Sequence, residues 1–183
     1  MEYVLLFLTD GVMGYLLQGV GYLLGIYAFV RREIKAREFI PMAVAYGVVA
    51  FGIRQIGVIS FGFHTILIMI TIILMAVLLL KTPAFMTVLG VLSASVAILL
   101  SEIVNISILN GILGHERMAV IMAGDGTISG EISKAVAGIP TNLILVAVMF
   151  IFYRLRMKKL KESSSHGATG SQVGAEDRNG TER

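Results

Sequence analysis

The chain has 183 residues, of which 56% are hydrophobic and only 15% are charged, and its mean hydropathy is +0.85. This composition lies outside the range of soluble globular domains and predicts an all-α, polytopic integral membrane protein. Cysteine is absent, which excludes disulfides and cysteine nucleophiles. The net charge of +3 is better explained by membrane orientation and contact with membrane lipids than by nucleic-acid binding.

About five segments of the chain are long and apolar enough to form transmembrane helices. A hydrocarbon core of roughly 30 Å needs about 20 apolar helical residues. In chain order the predicted spans are about 8–30, 39–58, 62–80, 82–105 and 135–154. The first span has no basic residue before it and is followed by Arg31 and Arg32. We therefore expect it to be retained as a helix rather than cleaved as a signal peptide.

The lysine and arginine residues between these spans predict the orientation. Short cytoplasmic loops of membrane proteins carry an excess of positive charge. With the N-terminus outside, the cytoplasmic segments hold most of the basic residues near the membrane: Arg31, Arg32, Lys35, Arg37, Lys81, Arg154, Arg156, Lys158, Lys159 and Lys161. The outer side then holds Arg54, Arg117 and Lys134. The sequence therefore predicts an outer N-terminus and an inner C-terminus for a multi-pass protein of the cell (plasma) membrane.

Two regions of the sequence lie outside the predicted spans. Residues 106–134 are predicted to form an outer loop or an interfacial segment, because their apolar runs are too short to span. Residues 162–183 are rich in Ser, Gly and charge and have almost no apolar side chains. We expect them to form a disordered cytoplasmic tail, since they cannot offset their ordering entropy by apolar burial. Residues 1–161 would then form the membrane domain.

Small residues recur four positions apart within the predicted helices. The pairs are Gly21 with Gly25, Ala43 with Gly47, Gly90 with Ala94, and Ser93 with Ala97. Such pairs let helix backbones approach closely in lipid, where van der Waals packing holds helices together. Packing within one bundle is the favoured interpretation. Formation of a homodimer, or docking on a separate membrane partner, is the alternative.

Polar residues near the outer ends of the spans predict a site that faces outward. By helix rise, the residues at similar depth are Asp10, Arg54, Gln55, His64, Glu102 and Asn105. Intramembrane charges are costly and are usually paired or functional. These residues are therefore candidates for a ligand site or an ion-pair site. A structural interpretation stays open, in which Arg54 extends to the headgroups, Asp10 caps the first helix, and Arg54 pairs with Glu102.

No motif in the sequence predicts catalysis. The pair His115-Glu116 is not followed by the second histidine of a metalloprotease motif, and residues 124–130, GDGTISG, lack the lysine of a phosphate-binding loop. We therefore assign no catalytic, metal or cofactor-binding residues and expect that the protein is not an enzyme.

One stretch resembles a known family. Residues 52–56 read GIRQI, and residues 59–67 read ISFGFHTIL, so that a helix ending in Arg54 is followed by a short loop with a Phe-Gly-Phe-His-Thr sequence. This arrangement resembles the N-terminal membrane region of some Firmicutes sensor histidine kinases, in which a later membrane helix carries a glutamate, matched here by Glu102. No kinase domain follows Lys161 in this sequence. The resemblance therefore implies a free-standing, sensor-like membrane module that signals through a separate kinase or other partner.

Two other classes of function remain open from the sequence. The length, the number of helices and the small-residue pairs also resemble, in outline, the substrate-binding membrane subunits of energy-coupling-factor vitamin transporters. In those proteins a helix with small residues docks on a shared membrane partner. An accessory protein that stabilises a membrane complex is the third interpretation. We favour the non-catalytic sensor, with transport as its alternative.

Overall fold

The computed structural model describes residues 14–54, 63–123 and 127–176. Its regular elements are all helices, and these ranges contain no strand: α1 Leu16–Val30, α2 Ala36–Arg54, α3 Phe63–Leu79, α4 Ala84–Leu113, α5 His115–Ala123 and α6 Ile128–Glu176. The prediction of an all-α chain is thus confirmed for the described ranges.

Three of the helices are long and apolar enough to cross a membrane. They are α2, α4 and the part of α6 from Ile132 to Leu160, while α1 and α3 are apolar but shorter. Large apolar side chains are exposed on the outside of the bundle, including Leu78, Phe85 and Ile112 at about 70%. A surface of this kind is unfavourable in water and typical of contact with lipid. The fold therefore indicates a membrane protein.

Helix α1 forms the centre of the bundle. Its residues are buried without interruption from Gly21 to Ala28, and it packs against α2, α4 and α6. Helix α3 lies further out, against α2 and α4. Helix α1 is apolar on all sides, and such a helix is stable where neighbouring helices surround it. Helix α1 is thus the element against which α2, α4 and α6 all pack.

The small residues allow α1 to approach its neighbours closely. A Cβ atom placed on Gly90 would lie 2.6 Å from Cα of Ile26, and one on Gly25 would lie 2.7 Å from the carbonyl oxygen of Gly90. A Cβ atom on Gly21 would lie 2.5 Å from the side chain of Leu145. The remaining members of the predicted pairs are also buried: Ala43, Gly47 and Ala94. All of these residues lie within the packing of one chain.

Several helices extend beyond the predicted spans. Helix α4 continues past residue 105 to Leu113 and ends at Gly114, whose φ of 82° suits glycine and whose N–H donates to the carbonyl of Asn110. Helix α5 and the first turns of α6 follow, so the described parts of 106–134 are largely helical. Hydropathy marks the part of a helix that lies in hydrocarbon, whereas backbone hydrogen bonding continues into the interface. An interfacial position of this segment stays a prediction.

The last helix enters the segment predicted to be disordered. Helix α6 runs to Glu176, and residues 177–183 lie outside the described part. Once a helix has formed, each further residue adds one hydrogen bond, so a helix begun in the membrane can continue beyond it. The Ser and Gly residues after 162 have low helix propensity. Disorder of this tail in solution therefore stays a prediction.

Candidate functional site

Arg54, the last residue of α2, contacts an aromatic residue rather than an acid among the described residues. Its Nη1 donates a hydrogen bond of 2.7 Å to the hydroxyl oxygen of Tyr15, and its guanidinium carbon lies 5.7 Å from the centre of that ring. Tyr15 is only 3% exposed, and its ring contacts the edge of Phe51 at 6.3 Å. Arg54 itself is exposed. One face of the guanidinium is thus fixed by the protein while the rest is open to the surroundings.

Tyrosine side chains continue inward from this pair. The ring of Tyr46 on α2 lies 5.8 Å from the ring of Tyr22 on α1, and the hydroxyl of Tyr22 lies 3.3 Å from Oγ of Ser95 on α4. Ser95 also donates to the carbonyl of Val91 at 2.9 Å. The hydroxyl of Tyr46 is buried and has no hydrogen-bond partner among the described residues. The bundle therefore contains a row of phenols that joins α1, α2 and α4.

The structure describes three other residues of the predicted outer site, Asn105, Glu102 and His64. Asn105 is 3% exposed, and its Nδ2 donates to the carbonyl of Ala137 at 2.8 Å, so it joins α4 to α6. Glu102 is exposed and His64 is half-exposed. Asp10 and Gln55 lie outside the described residues.

The ion pair between Arg54 and Glu102 is not present in the structure. Among the described residues the salt bridge is instead between Arg32 and Glu38. The reason lies in the helix geometry of α4, where Ser101 and Asn105 share the buried face. Glu102 is about 100° around the helix from Ser101 and therefore projects away from the bundle. Sequence depth alone placed Arg54 and Glu102 together, but depth does not fix the helix face.

A second polar cluster, which the sequence analysis missed, lies where α1 ends and α2 begins. Arg32 forms an ion pair with Glu38, donates from Nη1 to the carbonyl of Leu80 at 2.7 Å, and lies 5.9 Å from the ring of Tyr27. Its contacts join the end of α1 to the start of α2 and the end of α3. The sequence analysis used Arg32 as a basic residue that follows the first span, not as a partner of another side chain. Glu38 lies on the next helix, across a turn, so no helical spacing pointed to the pair.

The turn between α1 and α2 is also attached to α6. The backbone N–H of Ile34 donates to the hydroxyl oxygen of Tyr153 at 3.2 Å, and Tyr153 is 8% exposed. The end of α1 and the start of α2 are thus connected with α6 and with the end of α3 through the residues 32–34. Tyr15 lies just before the first residue of α1 and Tyr27 lies near its last, about 18 Å apart along the axis. Helix α2 carries Arg54 and Glu38, so α1 and α2 both link the two polar clusters.

The described residues offer no metal centre. No group of three or more His, Cys, Asp or Glu side chains within them is arranged to hold a metal ion. No protein-family model matches the chain, and neither a curated protein nor a solved structure matches it.

The contact between Arg54 and Tyr15 leads to a test by a double-mutant cycle. Arg54→Gln and Tyr15→Phe remove the same hydrogen bond, so we expect a coupling energy of about 0.5–3 kcal/mol between them, measured as unfolding free energies in detergent. The matched control is the cycle of Arg54→Gln with Glu102→Gln, which should be additive because these residues do not meet. Additivity in the first cycle, or coupling in the second, would contradict the structure.

Proposed function

We propose that the protein is a non-catalytic, sensor-like membrane module with five transmembrane helices, an outer N-terminus and an inner C-terminus. It responds at Arg54 to a ligand or to the state of the cell envelope, and a change in helix packing passes along α1 to the cluster at Arg32. The observation that carries the proposal is the attachment of α1 at both ends. Tyr15 binds Arg54 at one end, and Tyr27 contacts Arg32 at the other.

The exposed side of Arg54 gives the proposal a chemical basis. A guanidinium has five N–H donors, and Tyr15 accepts only from Nη1. An anionic group binding two of these donors side by side forms stronger hydrogen bonds than a neutral phenol does. Such a ligand would compete with Tyr15 for Arg54 and release the outer end of α1. The expected ligand is therefore an anion, such as a carboxylate or a phosphate group.

A ligand shifts a conformational equilibrium only by its differential affinity for the two states. Helix α1 packs through close backbone contacts at Gly25 and Gly90, so it is expected to move as a unit rather than bend. Movement at Tyr15 would then change the contacts of Tyr27 with Arg32 and with Phe39, whose ring lies 5.5 Å from Tyr27. The inner ends of the helices would present this change to a separate signalling partner.

The test is affinity purification of the intact protein from its native membrane in mild detergent, followed by mass spectrometry. We expect a histidine kinase or another signalling protein to be recovered. Arg54→Gln should change its recovery several-fold, whereas Arg117→Gln, an exposed arginine on α5, should not.

The same experiment separates the sensor from its alternatives. Recovery of an ATPase with its membrane coupling subunit, or of a bound vitamin, would replace the sensor with the substrate-binding subunit of a transporter. Recovery of a membrane complex that is indifferent to Arg54→Gln would instead favour a stabilising accessory protein.

A further inference from the structure

A groove runs along the outside of the bundle between α4 and α6. It has a volume of about 320 Å³. Its floor consists of small residues on α4, namely Ser93, Ala97 and Ser101. Apolar side chains such as Leu100 and Val148 form its walls. The hydroxyl of Ser101 donates to the carbonyl of Ala97 at 2.7 Å, so it offers no proton to a ligand. The groove is therefore suited to an apolar occupant.

The length of the groove corresponds to one leaflet. From Ser93 to Val104 the floor and wall extend along about 16 Å of helix. This is about half of a hydrocarbon core of roughly 30 Å. Phe152 of α6 closes the end of the groove that lies toward the basic side of the membrane. An extended acyl chain from that leaflet matches both the length and the chemistry.

A cation lies at this end of the groove. Arg156 is one turn beyond Phe152, with its guanidinium carbon 5.6 Å from the Phe152 ring and 4.5 Å from the Phe29 ring. The two rings hold the guanidinium by cation–π attraction, which uses its face and leaves its N–H donors in the plane available for an anion. The side chain is half-exposed. The groove thus combines an apolar channel with a fixed positive charge at its mouth.

We propose that this groove binds one acyl chain of an anionic phospholipid, whose headgroup phosphate is held by Arg156. The proposal goes beyond the sensor function and requires only that the protein lies in a membrane. Charge complementarity favours a lipid over a second copy of the chain. A copy related by a two-fold axis along the membrane normal would bring its own Arg156 to the same depth, and like charges would then meet at the interface.

The test measures binding of phosphatidylglycerol and of phosphatidylcholine with equal acyl chains to the delipidated protein by native mass spectrometry. Both lipids carry the phosphate, but the choline cation of phosphatidylcholine cancels its charge. We therefore expect the wild type to prefer phosphatidylglycerol about fivefold, which is the contribution of one basic residue near an anionic lipid surface. Arg156→Gln should remove most of this preference, and Arg156→Lys should keep part of it. Arg154→Gln is the matched control, because Arg154 lies over the Phe150 ring at 5.1 Å and is exposed, away from the groove.

A second pair of variants tests the groove independently of charge. Ser93→Leu fills the floor and should lower binding of both lipids, whereas Ser107→Leu adds the same bulk to an exposed position of α4 and should not. Size-exclusion profiles verify that each variant is folded. Equal effects of Arg156→Gln and Arg154→Gln, or of the two leucine variants, would overturn the proposal. So would a disulfide-linked dimer of Leu100→Cys in the native membrane, which would place a second copy in the groove.

Discussion

Gly90→Ala is expected to lower the free energy of unfolding by about 1–3 kcal/mol, the usual cost of adding volume to a packed core. The new Cβ would lie 2.6 Å from Cα and 2.8 Å from the backbone nitrogen of Ile26. Because both atoms belong to the backbone of α1, no side-chain rotation can relieve the contact. The two helices must separate, and the contacts of Ala94 with α1 would weaken with them. Urea unfolding in detergent micelles, followed by helical circular dichroism, measures the loss.

Gly111→Ala is the matched control for this prediction. Gly111 lies on the same helix, and a Cβ atom there would meet nothing within 4 Å. Alanine has the higher helix propensity, so this variant should be neutral or slightly more stable. If both variants unfolded at the same urea concentration, the close crossing of α1 and α4 would be wrong.

Arg32→Gln is expected to lower the free energy of unfolding by about 1–2 kcal/mol, because it loosens the contacts between the end of α1, the start of α2 and the end of α3. This value is in the lower part of the range for hydrogen bonds to charged groups, because the Arg32 and Glu38 side chains remain 30% and 37% exposed. The substitution removes the ion pair with Glu38, the hydrogen bond to Leu80 and the contact with Tyr27. We also expect faster proteolysis of the turn 32–35, measured with purified protein.

Arg37→Gln provides the control, since Arg37 carries the same charge close by and is exposed. It should change stability by less than about 0.5 kcal/mol, as expected for surface substitutions. Arg32→Lys should recover only part of the loss, because an ammonium cannot reproduce the planar arrangement of donors. Equal stability of Arg32→Gln and Arg37→Gln would show that the contacts of Arg32 do not hold α1, α2 and α3 together.

The apolar stretches of the sequence coincide with helices in the structure, because a helix satisfies its own backbone hydrogen bonds where no water is present. Helices α2, α3 and α4 each lie over a predicted span, and the apolar part of α6 covers the predicted span 135–154. That all five stretches cross the membrane stays a prediction, and α4 continues beyond its predicted span to Leu113. Interfacial turns can be helical or irregular at little cost in hydropathy, so the sequence contains only local signals there, such as Gly114.

Depth along a helix does not determine which face a residue occupies, so the sequence alone could not show which members of the predicted site lie together. Glu102 has the predicted depth of Arg54 but is exposed, whereas Asn105 is buried and donates a hydrogen bond to the carbonyl of Ala137. The actual partner of Arg54, Tyr15, was counted among apolar residues of the first span. The signal that would have found it is the preference of tyrosine for the membrane interface, where its hydroxyl reaches polar groups.

Cysteine accessibility in intact cells tests the five-helix topology most directly, because the chain has no cysteine of its own. A membrane-impermeant maleimide would be applied to cells carrying Glu2→Cys, Lys35→Cys, Arg117→Cys or Lys159→Cys. We predict labelling of positions 2 and 117 from outside, and of positions 35 and 159 only after the membrane is opened. Position 117 also tests whether the shorter α3 crosses the membrane. If α3 did not cross, position 117 would lie on the same side of the membrane as position 35. Labelling of position 35 from outside, or of 35 and 117 from the same side, would contradict the topology.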